Sequence, residues 1–244
     1  MNVLLIEVSQ TGTTYARKIS LMGGSASKQG RDMGLTCDQL HQISHRLPLH
    51  AFPFDAETIP LNGIYILFEK GETGHGTERI VRIGAHTGVD QLGSRLMQHF
   101  MLENKDRSIF RKNIGRAILN RDHDPFLKQW ELDLTSHEAK EKYQNKIDLK
   151  KQASVEQLVS QTIQENFRFV VFRVDKKDER LRWEERVIAT VSLCSECRPS
   201  KEWLGNYSPV EKIRESGLWN VQGLYKDGIS EWELEKLEKM IGGE

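Results

Sequence analysis

The sequence is short of most features that announce a special class of protein. It has three cysteines, Cys37, Cys194 and Cys197; an odd number argues against a secreted disulfide framework and leaves reduced thiols as the expectation. It has no net charge, because 35 basic residues cancel 35 acidic ones. Attraction to a polyanion therefore has to come from local clustering. It lacks any apolar run long enough to span a bilayer, and the opening MNVLLIEV is too short to be a secretory signal and is followed by nothing resembling a cleavage region. The expectation is a cytoplasmic protein with no membrane partner. What is present, 244 residues with 38% hydrophobic side chains, suffices for one large core or two small ones.

Thr11 to Gly34 is rich in Gly, Ser, Thr and Lys without periodicity, so residues 1–34 read as a flexible or loosely attached segment. Leu35, Leu40 and Ile43 then fall near helical spacing, and Pro48, Pro53 and Pro60 lead in extended chain to GIYILFEKGETGHGTERIVRIG. There Ile64, Ile66 and Phe68 alternate with Tyr65 and Leu67, and residues 79–85 alternate likewise. The simplest structure is an antiparallel hairpin. Gly71, Gly74 and Gly76 read as its turn residues, since no helix follows and their spacing fits neither a dinucleotide nor a P-loop pattern. In SRLMQHF, Leu92, Leu96 and Phe100 recur at helical spacing with Arg95 and His99 together at one edge of the stripe. The next helical pattern has Phe110, Ile114, Ala117 and Ile118 on one face, Lys112 and Arg116 opposite, and Arg107 and Arg111 flanking. It is the most concentrated basic patch in the chain.

FRFVVFRV reads as a strand from its β-branched and aromatic content. In DERLRWEERVIATVSLC, Trp183, Val187, Ile188 and Val191 make a helical apolar face that contains Glu184, while Glu185 points to solvent. Ser230 with Glu233 forms a capping box opening an amphipathic helix through Ile241. These patterns predict an α/β (α+β) fold with a small mixed or antiparallel sheet flanked by helices. The corresponding organisation is a domain over 35–225 followed by a C-terminal helix segment over 226–244. A carboxylate on an apolar face needs a counter-ion, hydrogen bonds or a cation, so Glu184 is either half of a buried ion pair or a functional group. Cys194 and Cys197 form C-x-x-C, and Cys37 with His41 forms C-x-x-x-H, four ligands of a type acceptable to zinc; small buried residues near a helix end are the simpler reading.

Taken in order, these features resemble the GIY-YIG endonuclease superfamily across roughly residues 61–206. Gly63-Ile64-Tyr65 matches the first signature and Arg82-Ile83-Gly84 the second, with an arginine where the family usually has its second tyrosine. Arg95 and His99 match the Arg-x-x-x-His of the first helix, Glu184 the catalytic glutamate, and Asn206 the late asparagine. The resemblance implies phosphodiester hydrolysis in double-stranded DNA with one Mg²⁺ (or Mn²⁺) held by Glu184. It implies that Tyr65 accepts a proton from the attacking water, with Arg82 or Arg95 as the cation that favours phenolate. Arg95 would clamp a phosphate oxygen, His99 would position water or phosphate, and Arg107, Arg111, Lys112 and Arg116 would grip neighbouring phosphates. The compact form resembles restriction or defence enzymes, acting as a homodimer at least on DNA. Arg82 also motivates a rival, a nucleic-acid-binding protein that keeps the fold without hydrolysis.

Overall fold

The computed structural model describes residues 26–242. Its sheet has four strands, β1 (His50–Ala51), β2 (Gly63–Gly74), β3 (Thr77–Gly84) and β4 (Phe167–Arg173), in the order β1-β4-β2-β3. All neighbours are antiparallel. The helices among the described residues are α1 (Ala26–Ser44), α2 (Leu92–Phe100), α3 (Ile109–Arg121), α4 (Leu127–Trp130), α5 (His137–Tyr143), α6 (Leu149–Asn166), α7 (Lys177–Leu193), α8 (Glu211–Ser216) and α9 (Glu231–Gly242). None is long and apolar enough to cross a membrane.

Strand alternation sorts side chains into two cores. Ile64, Ile66, Phe68, Ile80, Ile83, Val170 and Phe172 pack with Leu40 and Ile43 of α1, Trp183, Val187 and Val191 of α7, and Leu234 and Leu237 of α9. On the other face Tyr65, Leu67, Val81, Phe169 and Val171 pack with Leu92, Leu96 and Phe100 of α2, Phe110 and Ile114 of α3, and Val159 and Ile163 of α6. The result is three layers, helices on both sides of one sheet. Burial on both faces explains why β2 and β4 are nearly continuous apolar runs.

The hairpin is longer than the sequence suggests. β2 runs to Gly74, which pairs with Thr77, and the turn is only His75 and Gly76, at φ of 51° and 73°. Positive φ at both central residues is the mirror-image turn whose twist matches the flanking strands. Gly71, also at positive φ, lies where the register shifts between Phe68 and Thr73. The polar stretch continues as strand because its charges are paired inside: Arg79 Nη2 donates to Glu72 Oε2 over 2.7 Å, and Ser200 Oγ donates to the same carboxylate.

At the N-terminal side, α1 begins at Ala26, ahead of the domain start expected near residue 35, and the expectation for residues 1–25 lies outside the described residues. At the C-terminal side the capping box forms as the sequence predicts, Glu233 N–H donating to Ser230 Oγ and Ser230 N–H donating to Glu233 Oε2. The helix it opens is part of the α1–α7 core.

Glu69 is buried and accepts the indole N–H groups of Trp203 and Trp219 over 2.8 and 2.9 Å. Burial pushes its carboxyl up from 4.5 to about 7, against the pull of those two hydrogen bonds. The native chain therefore keeps a proton that the unfolded chain releases, and stability falls as pH rises from about 4.5 to about 7. Glu69→Gln is expected to flatten that fall by on the order of 2–3 kcal/mol. Urea unfolding of both proteins at acidic and mildly alkaline pH checks this; parallel profiles would sink it.

Candidate active site

The two signatures pair across β2 and β3, with Tyr65 opposite Gly84 and Leu67 opposite Arg82. Pairing with Tyr65 and Leu67 puts Gly84 and Arg82 on the α2–α3 side of the sheet, and the register shift after Leu67 leaves Val81 on that side as well. A methyl group on Gly84 would overlap Tyr65 Oη, so the glycine leaves the space the phenol occupies. Tyr65 Oη lies 2.7 Å from His99 Nε2, and His99 Nδ1 lies 2.7 Å from Ser108 Oγ. Ser108 caps α3 by accepting the N–H of Arg111. Burial, reinforced by Arg82, Arg95 and Arg111, holds the imidazole well below the usual histidine range. A neutral ring has one donor and one acceptor, and Ser108 serves either tautomer. Tyr65 and His99 are both fully buried.

Three other expected residues converge on a cavity of ≈ 450 Å³: Arg82 from β3, Arg95 from α2 and Glu184 from α7, with Ile109 and Asn220 also lining it. Glu184 Oε1 accepts the N–H of Ala85, immediately after the second signature, over 3.0 Å. Burial pushes its carboxyl up, while Arg82, the Ala85 N–H and Arg95 pull it back. Arg82 donates from Nη1 to the Trp219 carbonyl over 2.9 Å and lies over the Phe110 ring at 5.2 Å. Its Nε is buried without a protein partner. Arg95 donates from Nη1 to Gln98 Oε1 and to the Arg107 carbonyl. The five expected catalytic residues thus form two groups. Arg82, Arg95 and Glu184 share the cavity, and Tyr65 and His99 are linked to each other inside the core.

The asparagine at this cavity is Asn220, not Asn206. Asn220 accepts the Ile83 N–H and donates to the Ile83 carbonyl, satisfying the outer side of edge strand β3 beside the signature. Asn206 donates to the carbonyls of Ser200 and Lys201 and closes a local turn. The available signal for Asn220 was a lone amide between apolar Trp219 and Val221, which distinguishes no function by itself.

The chain matches the family model for the GIY-YIG domain over residues 35–243, and it belongs to that family. No curated protein matches it, and no solved structure does. Membership supports nuclease activity on DNA with dependence on a divalent metal, at the level of the family. The residues present fit such an ion. Glu184 is a hard carboxylate ligand lining the cavity, the donor that magnesium takes while keeping most of its water.

The basic helix differs from its expected role. Arg111 is fully buried: Nε and Nη2 donate to Glu156 Oε2 over 3.1 and 2.8 Å, Nη2 also to Ser160 Oγ, and Nη1 to the His99 carbonyl. It joins α3 to α6 and is turned away from any phosphate. Arg116 is paired with Glu131 and Asn113, and Lys112 donates to the Glu131 carbonyl and lies 3.6 Å from Asp106. Arg107 is exposed. Arg111→Ala strands a buried carboxylate and is expected to cost about 3–5 kcal/mol, against within about 0.5 kcal/mol for Arg107→Ala. Thermal or denaturant unfolding of the two variants decides; equal stabilities would contradict the buried assignment.

Proposed function

We propose that the chain is a metal-dependent endonuclease that hydrolyses phosphodiester bonds in double-stranded DNA, of restriction or defence type. The observation that carries this reading is the meeting of Glu184, Arg82 and Arg95, from three separate elements, in one cavity beside the paired signatures. Glu184 would hold Mg²⁺ or Mn²⁺, which when bound supplies charge to the phosphate and to the departing 3′ oxygen. Arg95, half-buried with spare donors, clamps a nonbridging phosphate oxygen. Arg82, fixed by the Trp219 carbonyl and Phe110, adds a permanent positive charge where negative charge grows.

The buried pair has a positioning part. Tyr65 and His99, fully buried and joined over 2.7 Å, do not line the cavity; in this reading they hold β2 and α2 in place around it. Arg107 and Lys112 contact flanking phosphates in this reading, and Arg111 positions His99 through its backbone carbonyl instead. Cutting both strands requires two sites, so two copies act together on the duplex.

Arg82 in the second signature favours a second reading, a protein that binds DNA without cutting it. Both readings meet in one experiment: incubation of plasmid and genomic DNA with Mg²⁺, Mn²⁺ or chelator, for the wild type, Glu184→Gln and Glu185→Gln. The expected outcome is cleavage by the wild type, a loss of at least ~10³-fold in Glu184→Gln, and little change in Glu185→Gln, whose carboxylate is exposed and paired with Lys226. DNA binding without cleavage under either metal selects the second reading. The acid limb of the rate profile is expected above the ordinary carboxylate range, because Glu184 must be ionised to hold the cation and burial raises its pKa. A limb that does not move in Glu184→Asp or lies in the ordinary range would separate that limb from Glu184.

A further inference from the structure

Four potential ligands from three separate parts of the chain meet at the far end of the hairpin from the Tyr65–Gly84 pair. Cys37 comes from α1, His75 from the β2–β3 turn, Cys194 from the end of α7, and Cys197 from the segment after it. Their ligand atoms all lie within 4.8 Å of one another. Cys37 Sγ is 3.5 Å from Cys197 Sγ, and Cys194 Sγ is 3.3 Å from His75 Nε2. Ligands around a tetrahedral zinc with ~2.3 Å bonds to sulfur sit about 3.5–3.8 Å apart. All three cysteines are free and buried.

We infer that Cys37, His75, Cys194 and Cys197 form a structural zinc site, distinct from the Glu184 cavity. His75 holds the first central place of the mirror-image turn, at φ 51°, and there it delivers Nε2 to the thiols. On its other side Nδ1 lies 3.7 Å from Glu196 Oε2, beyond direct hydrogen-bond reach. The histidine four residues after Cys37 is not the ligand. His41 Nδ1 lies 2.8 Å from the Cys37 carbonyl and its Nε2 accepts the Ile80 N–H over 3.2 Å, so both ring nitrogens are engaged.

Three thiolates and one imidazole fill a four-coordinate shell and leave no position for substrate, which makes the site structural and not catalytic. Zinc there would fasten α1 and the hairpin tip to the C-terminal end of α7, the helix whose earlier turns carry Glu184.

The test uses the full chain, purified without an affinity tag, and measures its metal by mass spectrometry. About one zinc per chain is expected, retained in Glu184→Gln, with release on thiol modification. Replacement by cobalt is expected to give the visible bands of a tetrahedral ion with thiolate charge transfer. His75→Asn, which tolerates the left-handed turn, should weaken zinc binding at least ~100-fold while the circular dichroism of the zinc-saturated protein is preserved. Zinc below about 0.1 per chain after reduction and dialysis against zinc would overturn the proposal. So would a His75→Asn variant that holds zinc as tightly as the wild type, or cobalt spectra lacking thiolate bands.

Discussion

The constraint on which the rest depends is the position of β2. It is hydrogen-bonded to β3 on one side and β4 on the other, and its residues from Gly63 to Phe68 are buried on both faces. A one-residue slip would exchange its two faces, driving Tyr65 and Leu67 into the α1–α7 core and Ile64 and Ile66 into the α2–α3 core. Register is therefore fixed by two hydrophobic layers at once. The same register that packs the cores sets Tyr65 across from Gly84 and brings Arg82 to the cavity.

Helices on opposite faces then meet at the end of this strand pair. α2 brings Arg95 and His99 over one face, while α7 crosses the other and turns Glu184 to the backbone N–H of Ala85. That hydrogen bond ties the carboxylate to the chain just beyond the second signature, so its placement relative to Arg82 follows from the fold. The polar groups that had to be buried to achieve this are matched individually: Arg111 with Glu156, Arg79 with Glu72, Glu69 with two indoles. Losing either member of such a pair costs more than the pair contributes, since the survivor remains in a low-dielectric interior.

The parts legible in the sequence were those written in short-range periodicity. The alternation of residues 63–69, the stripe of α2, the apolar face of α7 and the Ser230 capping box each lie within one element, and each forms as read. What was illegible depends on partners far along the chain. Arg111 reads as a flank of an exposed face until Glu156 and Ser160 of α6 arrive beside it. His41 reads as the companion of Cys37 at helical spacing, yet its nitrogens are taken by backbone, and the imidazole that reaches the thiols comes from a hairpin turn. Asn220 carries no local signal because its partner is the unpaired edge of β3. The polar tip of the hairpin carries no local strand signal for the same reason: it is strand only because Arg79, Ser200 and the tryptophans lie against it.

Arg82 shows how a departure from a family pattern can be absorbed physically. A tyrosine at this position would offer a neutral hydroxyl; the arginine offers a charge that the surroundings must accept. They do so with one carbonyl, one aromatic face and the half-buried Glu184 carboxylate, leaving Nε without a protein partner. A buried guanidinium with an unfilled donor is costly unless an acceptor completes it. An anion in the cavity would meet this positive charge, so the substitution changes how charge is balanced there and does not by itself separate cleavage from binding alone. It also pulls against the burial that raises the Glu184 carboxyl, so the same charge that could receive a phosphate favours the ionised glutamate a metal would need.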